Sequence, residues 1–258
     1  MRDRLVQGLP LPTPSRTHRV QVLIAGGGIA ALSAARVLRL AGVSDVALLE
    51  LEDSVGGNSR GTTMAGLRCP LGAHYLPVPG DDAPEVQDLL EEIGVRERVA
   101  GRWQYKDEYL CFSPQERLFY QGEWVEGLLP THNVTDTSIA QYQRGAQLVS
   151  QAMHEQRFTM PVMRSWQSNG GLASSHQALD AITFDAWLAQ NQLDDSHLRW
   201  YLDYACLDDF GAGCAHVSAW AGLHYFASRH GFQAPGAHDE QHESVLTWPQ
   251  GNGWLAEQ

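Results

Sequence analysis

The residues best placed to do chemistry in this chain are glycines. Gly26 and Gly28 follow the apolar run Val22-Leu23-Ile24-Ala25, and Ala31 completes a G-x-G-x-x-A spacing. The apolar run predicts a buried parallel strand. The segment after it predicts a helix, in which Ile29, Leu32, Ala35 and Val37/Leu38 share a face and Gly42 marks the end. A strand that turns through glycine into a helix offers an anion the free N–H groups and positive dipole end of that helix. In such a turn Gly26 permits the sharp bend and Gly28 lets a pyrophosphate approach the backbone. Ala31 keeps helix and strand close, and Ile29, Ala30 and Ala31 supply the first helical N–H groups. Glu50 ends the next apolar strand, Asp45-Val46-Ala47-Leu48-Leu49, 22 residues after Gly28. A carboxylate there accepts hydrogen bonds from ribose hydroxyls and repels a 2′-phosphate, which disfavours NADP.

A second glycine pair follows at once. Five residues separate Glu50 from Gly56-Gly57, and Arg60 comes three later. With this double motif the sequence resembles the FAD-dependent amine oxidase and phytoene desaturase superfamily, in which a dinucleotide fingerprint is followed by Glu-x5-Gly-Gly. The resemblance implies that Leu51, Gly56 and Gly57 pass close to an FAD pyrophosphate and ribityl chain, with Arg60 beside them. It also implies that Gly72-Ala73-His74-Tyr75 reaches the isoalloxazine ring. Gly72 and Ala73 would approach it through their backbone. His74 is then either an acid/base group at the flavin or a structural histidine, and both readings stand. The arginine departs from the family pattern, which often places it where Asn58 stands, and Pro70 replaces a frequent acid.

These residues need a scaffold, and the expectation is an α/β chain. It comprises a Rossmann-like FAD/NAD(P)-binding domain with an inserted, mainly helical substrate domain, truncated at the C-terminus. The expected divisions are an exposed arm over 1–18, the first part of the FAD-binding domain over 19–82, a substrate domain over 83–235, and a return over 236–258. Within the substrate domain, 84–94 predicts an amphipathic helix ended by Gly94. Residues 108–127 predict three short strands, with turns at Ser113-Pro114 and Gln121-Gly122. Residues 138–156 predict a helix, and residues 168–175 read as linker. Three more helices follow, capped by Thr183, Ser196 and Ser218, the last stopped by Gly231. The dense aromatics, Trp187 to Phe226, predict core, with an apolar substrate channel as the alternative that the resemblance supplies.

Composition excludes several classes. A formal net charge of −12 with no basic cluster argues against nucleic acid as a partner. No run of apolar residues is long enough for a transmembrane helix, and residues 1–19 lack the apolar core of a secretory signal. The four cysteines, Cys69, Cys111, Cys206 and Cys214, show no C-x-x-C spacing and read as isolated thiols in a reducing, cytoplasmic compartment. His238-Asp239-Glu240-Gln241-His242 lacks the Glu that a zinc peptidase needs after its first His, so no metal is expected.

Two function classes follow. The first is an FAD-dependent oxidoreductase that takes a hydride from a C–N or C–C bond of a small or apolar substrate and passes electrons to an acceptor. The second is an incomplete fragment that works only with a separate C-terminal half. An NAD-binding Rossmann protein is a third reading, which Glu50 accommodates and Gly56-Gly57 argues against.

Overall fold

The computed structural model describes residues 6–10, 13–111, 116–165, 171–229, 231–232, 234–235 and 245–258. In chain order the elements are β1 (Val22–Ala25), α1 (Ile29–Leu40), β2 (Val46–Leu49), β3 (Gly61–Met64), β4 (Leu67–Pro70) and β5 (Tyr75–Pro77). There follow α2 (Pro84–Glu92), β6 (Arg96–Val99), β7 (Arg102–Tyr105), β8 (Leu110–Cys111), β9 (Arg117–Tyr120), β10 (Glu123–Glu126) and α3 (Asp136–Glu155). The chain then forms α4 (Ser174–Asp180), α5 (Phe184–Gln190), α6 (Ser196–Phe210), α7 (Ala219–Ala227), β11 (Val245–Thr247) and α8 (Gly253–Glu257).

Contacts divide the chain into two compact units. One comprises Met1–His74 with Trp248–Gln258, the other Tyr75–Thr247. The units meet at 74/75 and 247/248. The reason is strand pairing: β11 lies antiparallel between β5 and β8, which ties both crossing points into the second unit.

In the first unit β1 and β2 pair in parallel, Val22 opposite Val46 through Ala25 opposite Leu49. This is the βαβ opening that the apolar runs and glycines predict. The strands are not buried on both faces, however. Val22 and Ile24 are half-buried, whereas Leu23 and Leu49 are 59% and 61% exposed. The helix α1 has no buried residue, and of its expected apolar face Ile29 and Val37 are exposed while Leu32, Ala35 and Leu38 are half-buried. A doubly covered parallel strand needs neighbours on both sides, and among the described residues the β1–β2 sheet has two strands only. The antiparallel hairpin β3–β4 turns through Ala65-Gly66, both in the left-handed region. Arg68 on β4 reaches Glu257 on α8 at 2.9 Å.

The second unit holds the core. Tyr142, Phe184, Leu188, Leu198, Leu202, Leu223 and Phe226 bring α3, α5, α6 and α7 together around side chains withdrawn from water. The dense aromatics of this segment are largely part of it. Thr183 and Ser218 cap their helices as predicted, accepting from the Ala186 and Ala221 N–H groups. Ser196 does not: the carboxylate of Asp195 accepts from the His197 and Leu198 N–H groups, and Ser196 becomes the first helical residue. Helix α7 ends at Ala227, before Gly231, whose N–H returns to the Phe226 carbonyl at 2.8 Å. The three-strand expectation over 108–127 also changes. β9 and β10 form a hairpin across Gln121-Gly122, but β8 pairs with β11 instead. Residues 113–114 lie outside the described residues. The hairpin β6–β7 and the helix α4, in a stretch partly read as linker, were not expected.

Candidate functional site

The candidate site is built in the first unit from one strand end, one helix start and two glycine turns. The Gly26 N–H donates to the Leu49 carbonyl at 2.7 Å, which carries the parallel ladder one residue past β1. Gly26 then takes φ +98°, a conformation that side chains disfavour, and Gly28 is the N-terminal cap residue of α1. The first intrahelical bond runs from the Leu32 N–H to the Gly28 carbonyl at 3.0 Å. The N–H groups of Ile29, Ala30 and Ala31 therefore precede the helical ladder and point out of its positive end. A Cβ placed on Gly28 would meet no described residue within 4 Å. The space over this helix start is open, as a bound anion requires.

Gly27, between the two motif glycines, is the residue that the sequence reading missed. It is buried, and a Cβ on it would stand 2.8 Å from Glu50 Oε2 and 2.9 Å from Val55 Cγ1. Its N–H donates to Glu50 Oε2 at 2.5 Å, and its carbonyl accepts from the Gly56 N–H at 2.7 Å. The G-x-G pattern leaves that middle position blank, so no local signal marks it. It is the point where both motifs meet.

Glu50 thus acts first on the backbone. Its Oε1 accepts from the Leu51 and Glu52 N–H groups at 2.7 and 2.9 Å. These bonds, that to Glu52 foremost, hold its carboxyl below the ordinary 4.5, and the Arg60 charge adds to the effect. The group is a carboxylate at neutral pH. A carboxylate offers about four acceptor sites, so ribose hydroxyls can still approach it.

The second turn lies against the first. Gly28 and Gly56 form a parallel β-bridge, and a Cβ on Gly57 would stand 3.2 Å from the Gly28 Cα. Gly56 and Gly57 both have positive φ, +118° and +56°. Arg60 folds back so that its Nε donates to the Gly57 carbonyl at 3.2 Å, with its guanidinium 3.6 Å from Glu52. Leu51 is exposed beside this turn.

The third segment docks on the second. The Ala73 N–H donates to the Asn58 carbonyl at 2.9 Å, and a Cβ on Gly72 would stand 2.6 Å from that same oxygen. The Ala73 carbonyl accepts from the Asn252 N–H at 3.0 Å, which brings in the Trp248–Asn252 turn before α8. Gly26, Gly28, Glu50, Gly56, Gly57, Arg60, Gly72 and Ala73 are therefore one connected backbone constellation. His74 follows it directly and is exposed. The His238–His242 stretch lies outside the described residues.

Similarity to known proteins agrees with this geometry. A family model described as an NAD(P)-binding Rossmann-like domain matches residues 24–93. Polyamine oxidase 1 of Zea mays is 38% identical over 56 residues, which are 22% of this chain and 11% of that protein. Polyamine oxidase 6 of Oryza sativa subsp. japonica is 37% identical over 102 residues, 37% of this chain and 21% of that protein. A putrescine oxidase structure bound to putrescine aligns with a TM-score of 0.63 and 20% identity, covering 94% of this chain and 49% of its own. The cyclohexylamine oxidase of Brevibacterium oxydans aligns with a TM-score of 0.62 and 18% identity, over 93% and 48%. The chain thus spans about half the length of these solved structures. The likeness to the polyamine oxidases thus covers a minor part of either chain, and the likeness to the solved amine oxidases is one of fold.

Proposed function

We propose that this chain is the cofactor-bearing part of an FAD-dependent oxidoreductase acting on a C–N or C–C bond of a small or apolar substrate. The observation that carries the reading is the Gly28–Gly56 bridge beneath an open helix start. Two successive glycine turns share one backbone contact, so an extended dinucleotide could run from one to the other without meeting a side chain. The residues fit FAD: free helical N–H groups for a pyrophosphate, a fixed carboxylate for a ribose, and an uncrowded Gly28.

When bound, FAD supplies the redox chemistry by accepting the equivalent of a hydride, and an electron acceptor reoxidises it. The chain's own residues do the rest. The Ile29, Ala30 and Ala31 N–H groups bind negative charge at the helix start. Glu50 holds the Gly27 and Leu51–Glu52 backbone in place and accepts from the ribose. Gly56, Gly57 and Leu51 border the path beyond the pyrophosphate, with Arg60 contributing positive charge beside it. Gly72 and Ala73 would approach the isoalloxazine ring through their backbone, and His74 would be either an acid/base group there or a structural histidine. An amine substrate is the form this reading takes, since the relatives are named polyamine, putrescine and cyclohexylamine oxidases. A separate C-terminal half completes the site, and the compartment is reducing and cytoplasmic.

The experiment is a flavin titration. FAD, ADP and NAD are each dialysed to equilibrium against the protein, alone and co-expressed with a C-terminal half. FAD should bind best, and Gly28→Val should abolish its binding while the protein stays folded, because a Cβ at this position meets no described residue within 4 Å. Glu50→Gln weakens FAD binding by about ten- to a hundredfold. Stoichiometric flavin on Gly28→Val sinks the assignment.

A further inference from the structure

The second unit holds a contact between two cysteines that nothing in the flavin reading uses. Helix α6 ends at Gly211, which takes φ +67° and returns its N–H to the Leu207 carbonyl. The chain then doubles back under control of Asp203. The carboxylate oxygen Oδ1 of Asp203 accepts from the Cys214 N–H at 2.7 Å. Gly213 lies so close that a Cβ on it would stand 2.5 Å from the same oxygen. The Cys214 carbonyl is fixed from the other side by the Asp185 N–H at 3.0 Å. Asp203 and Cys206 are three residues apart on α6, hence neighbours on one helix face. Pinning Cys214 to Asp203 therefore sets it against Cys206. The two Sγ atoms lie 3.9 Å apart, with the Cys214 thiol donating to the Cys206 sulfur. Their residues are 1% and 4% exposed. By their spacing alone all four cysteines read as isolated thiols, and for this pair the structure corrects that expectation.

We propose that Cys206 and Cys214 are a reversible redox pair that closes to an intramolecular disulfide across the α6–α7 turn. A disulfide needs the sulfurs at about 2.05 Å, so they must close part of their present separation while the surrounding backbone stays anchored. The oxidant class is a peroxide. The Cys206 sulfur attacks one oxygen of hydrogen peroxide, the O–O bond breaks, and water leaves with the thiol's proton, giving a sulfenic acid. The Cys214 sulfur then attacks the Cys206 sulfur, the S–O bond breaks, and a second water carries away the Cys214 proton. Two thiols and one peroxide become one disulfide and two waters, and a dithiol reductant reverses the change. Cys206 is the attacking member because the hydrogen bond from Cys214 favours its thiolate over that of its partner. The segment that carries Cys214 is exposed on both sides of it, at Gly211, Ala215 and His216.

The proposal is independent of the flavin reading and is tested without flavin. Native protein is treated with a small excess of hydrogen peroxide, remaining thiols are blocked with N-ethylmaleimide, and the digest is read by mass spectrometry. The expected result is a cross-link between the peptides carrying Cys206 and Cys214, lighter by about 2 Da than the two thiol forms. Titratable thiols in denaturant fall from four to two, and dithiothreitol restores them. The C69S/C111S double variant still cross-links, whereas C206S and C214S do not. The wild-type digest decides the matter even if a serine variant fails to fold. Absence of the 206–214 cross-link from peroxide-treated native protein overturns the proposal, as does its appearance only after unfolding.

Discussion

At the scale of single residues, the same glycine-rich stretch contains positions with opposite duties. Gly28 faces open space and Gly27 faces Glu50 and Val55. The first should tolerate a methyl in the fold and the second should not. We expect Gly27→Ala to lower the melting temperature and to speed amide exchange at Leu51 and Glu52, whose N–H groups depend on Glu50. Gly28→Ala should leave both unchanged. Equal melting temperatures for the two variants would refute the division.

A different residue-scale effect belongs to two histidines in the second unit. His176 is 2% exposed, and among the described residues neither ring nitrogen has a hydrogen-bond partner. It packs on Phe158, with centroids 4.9 Å apart, and on Trp220, which stacks on His224 in turn. Burial lowers the pKa of both histidines from the ordinary 6.5, and each imidazole is neutral in the fold. His224 also feels Arg229, which disfavours its charge, against the Thr159 carbonyl and Asp209, which favour it. Below about 6.5 the unfolded chain therefore binds protons that the folded chain refuses. Their stabilising effect is fully present above that pH and is lost as the pH falls toward the lowered folded values. Glu116, whose burial raises its carboxyl, acts with the opposite sign. Comparing melts of wild type and His176→Phe from pH 7 to pH 5 isolates the first effect. The variant should lose less stability on acidification, by up to about 1.4 kcal/mol per pH unit for one proton. Parallel curves would show that His176 titrates normally.

At the scale of elements, the packing of α5 on α7 depends on one absent side chain. A Cβ on Gly222 would stand 2.4 Å from Phe184 Cδ1 and 2.5 Å from its Cγ. The Phe184 ring is fully buried and stacks on Trp187, so it has nowhere to move. Gly222→Ala gains helix propensity and loses more to overpacking, and should destabilise the unit by roughly 1–3 kcal/mol in urea unfolding. Phe184→Leu should recover part of that loss in the double variant. A Gly222→Ala protein as stable as wild type would mean that the two helices separate at little cost. This contact also indicates what the sequence could and could not tell. Thr183 and Ser218 announced their helices because capping is local chemistry. Asp195 and Ser196 are both good caps, and only the fold decides between neighbours. The pairing of β8 with β11 joins segments far apart in the chain, and no short-range pattern encodes it. In the candidate site, spacing marked the glycines that a ligand would approach, while Gly27 and Asn58 were silent because their roles lie in their own backbone groups, which bond to Glu50 and Gly56 in the one case and to Ala73 in the other.

At the scale of the whole molecule, the two units are unequal in how they keep water away. The second buries a continuous set of aliphatic and aromatic side chains. The first exposes Leu23 and Leu49 on one sheet face and Val37 and Leu40 on α1. In the parallel register Leu23 lies opposite Ala47 and Leu49 opposite Ala25, so both leucines point to the same side. Two parallel strands with one helix do not make a stable sheet alone, and an open strand edge beside exposed leucines invites further pairing. We expect residues 1–258, made without additional chain, to self-associate through the first unit while the second stays folded. Size-exclusion chromatography with light scattering should give a mass above the 28.5 kDa of one chain. Amide exchange should be fast in β1, α1 and β2 and slow in α6 and α7. Replacing Leu23 and Leu49 by lysine and glutamate should raise the monomer fraction without altering exchange in α6. Co-expression of a C-terminal half should instead slow exchange in β1, because added strands would satisfy the edge that lysine and glutamate only make soluble. A monodisperse 28.5 kDa species with β1 as protected as α6 would overturn this expectation and make the first unit self-sufficient.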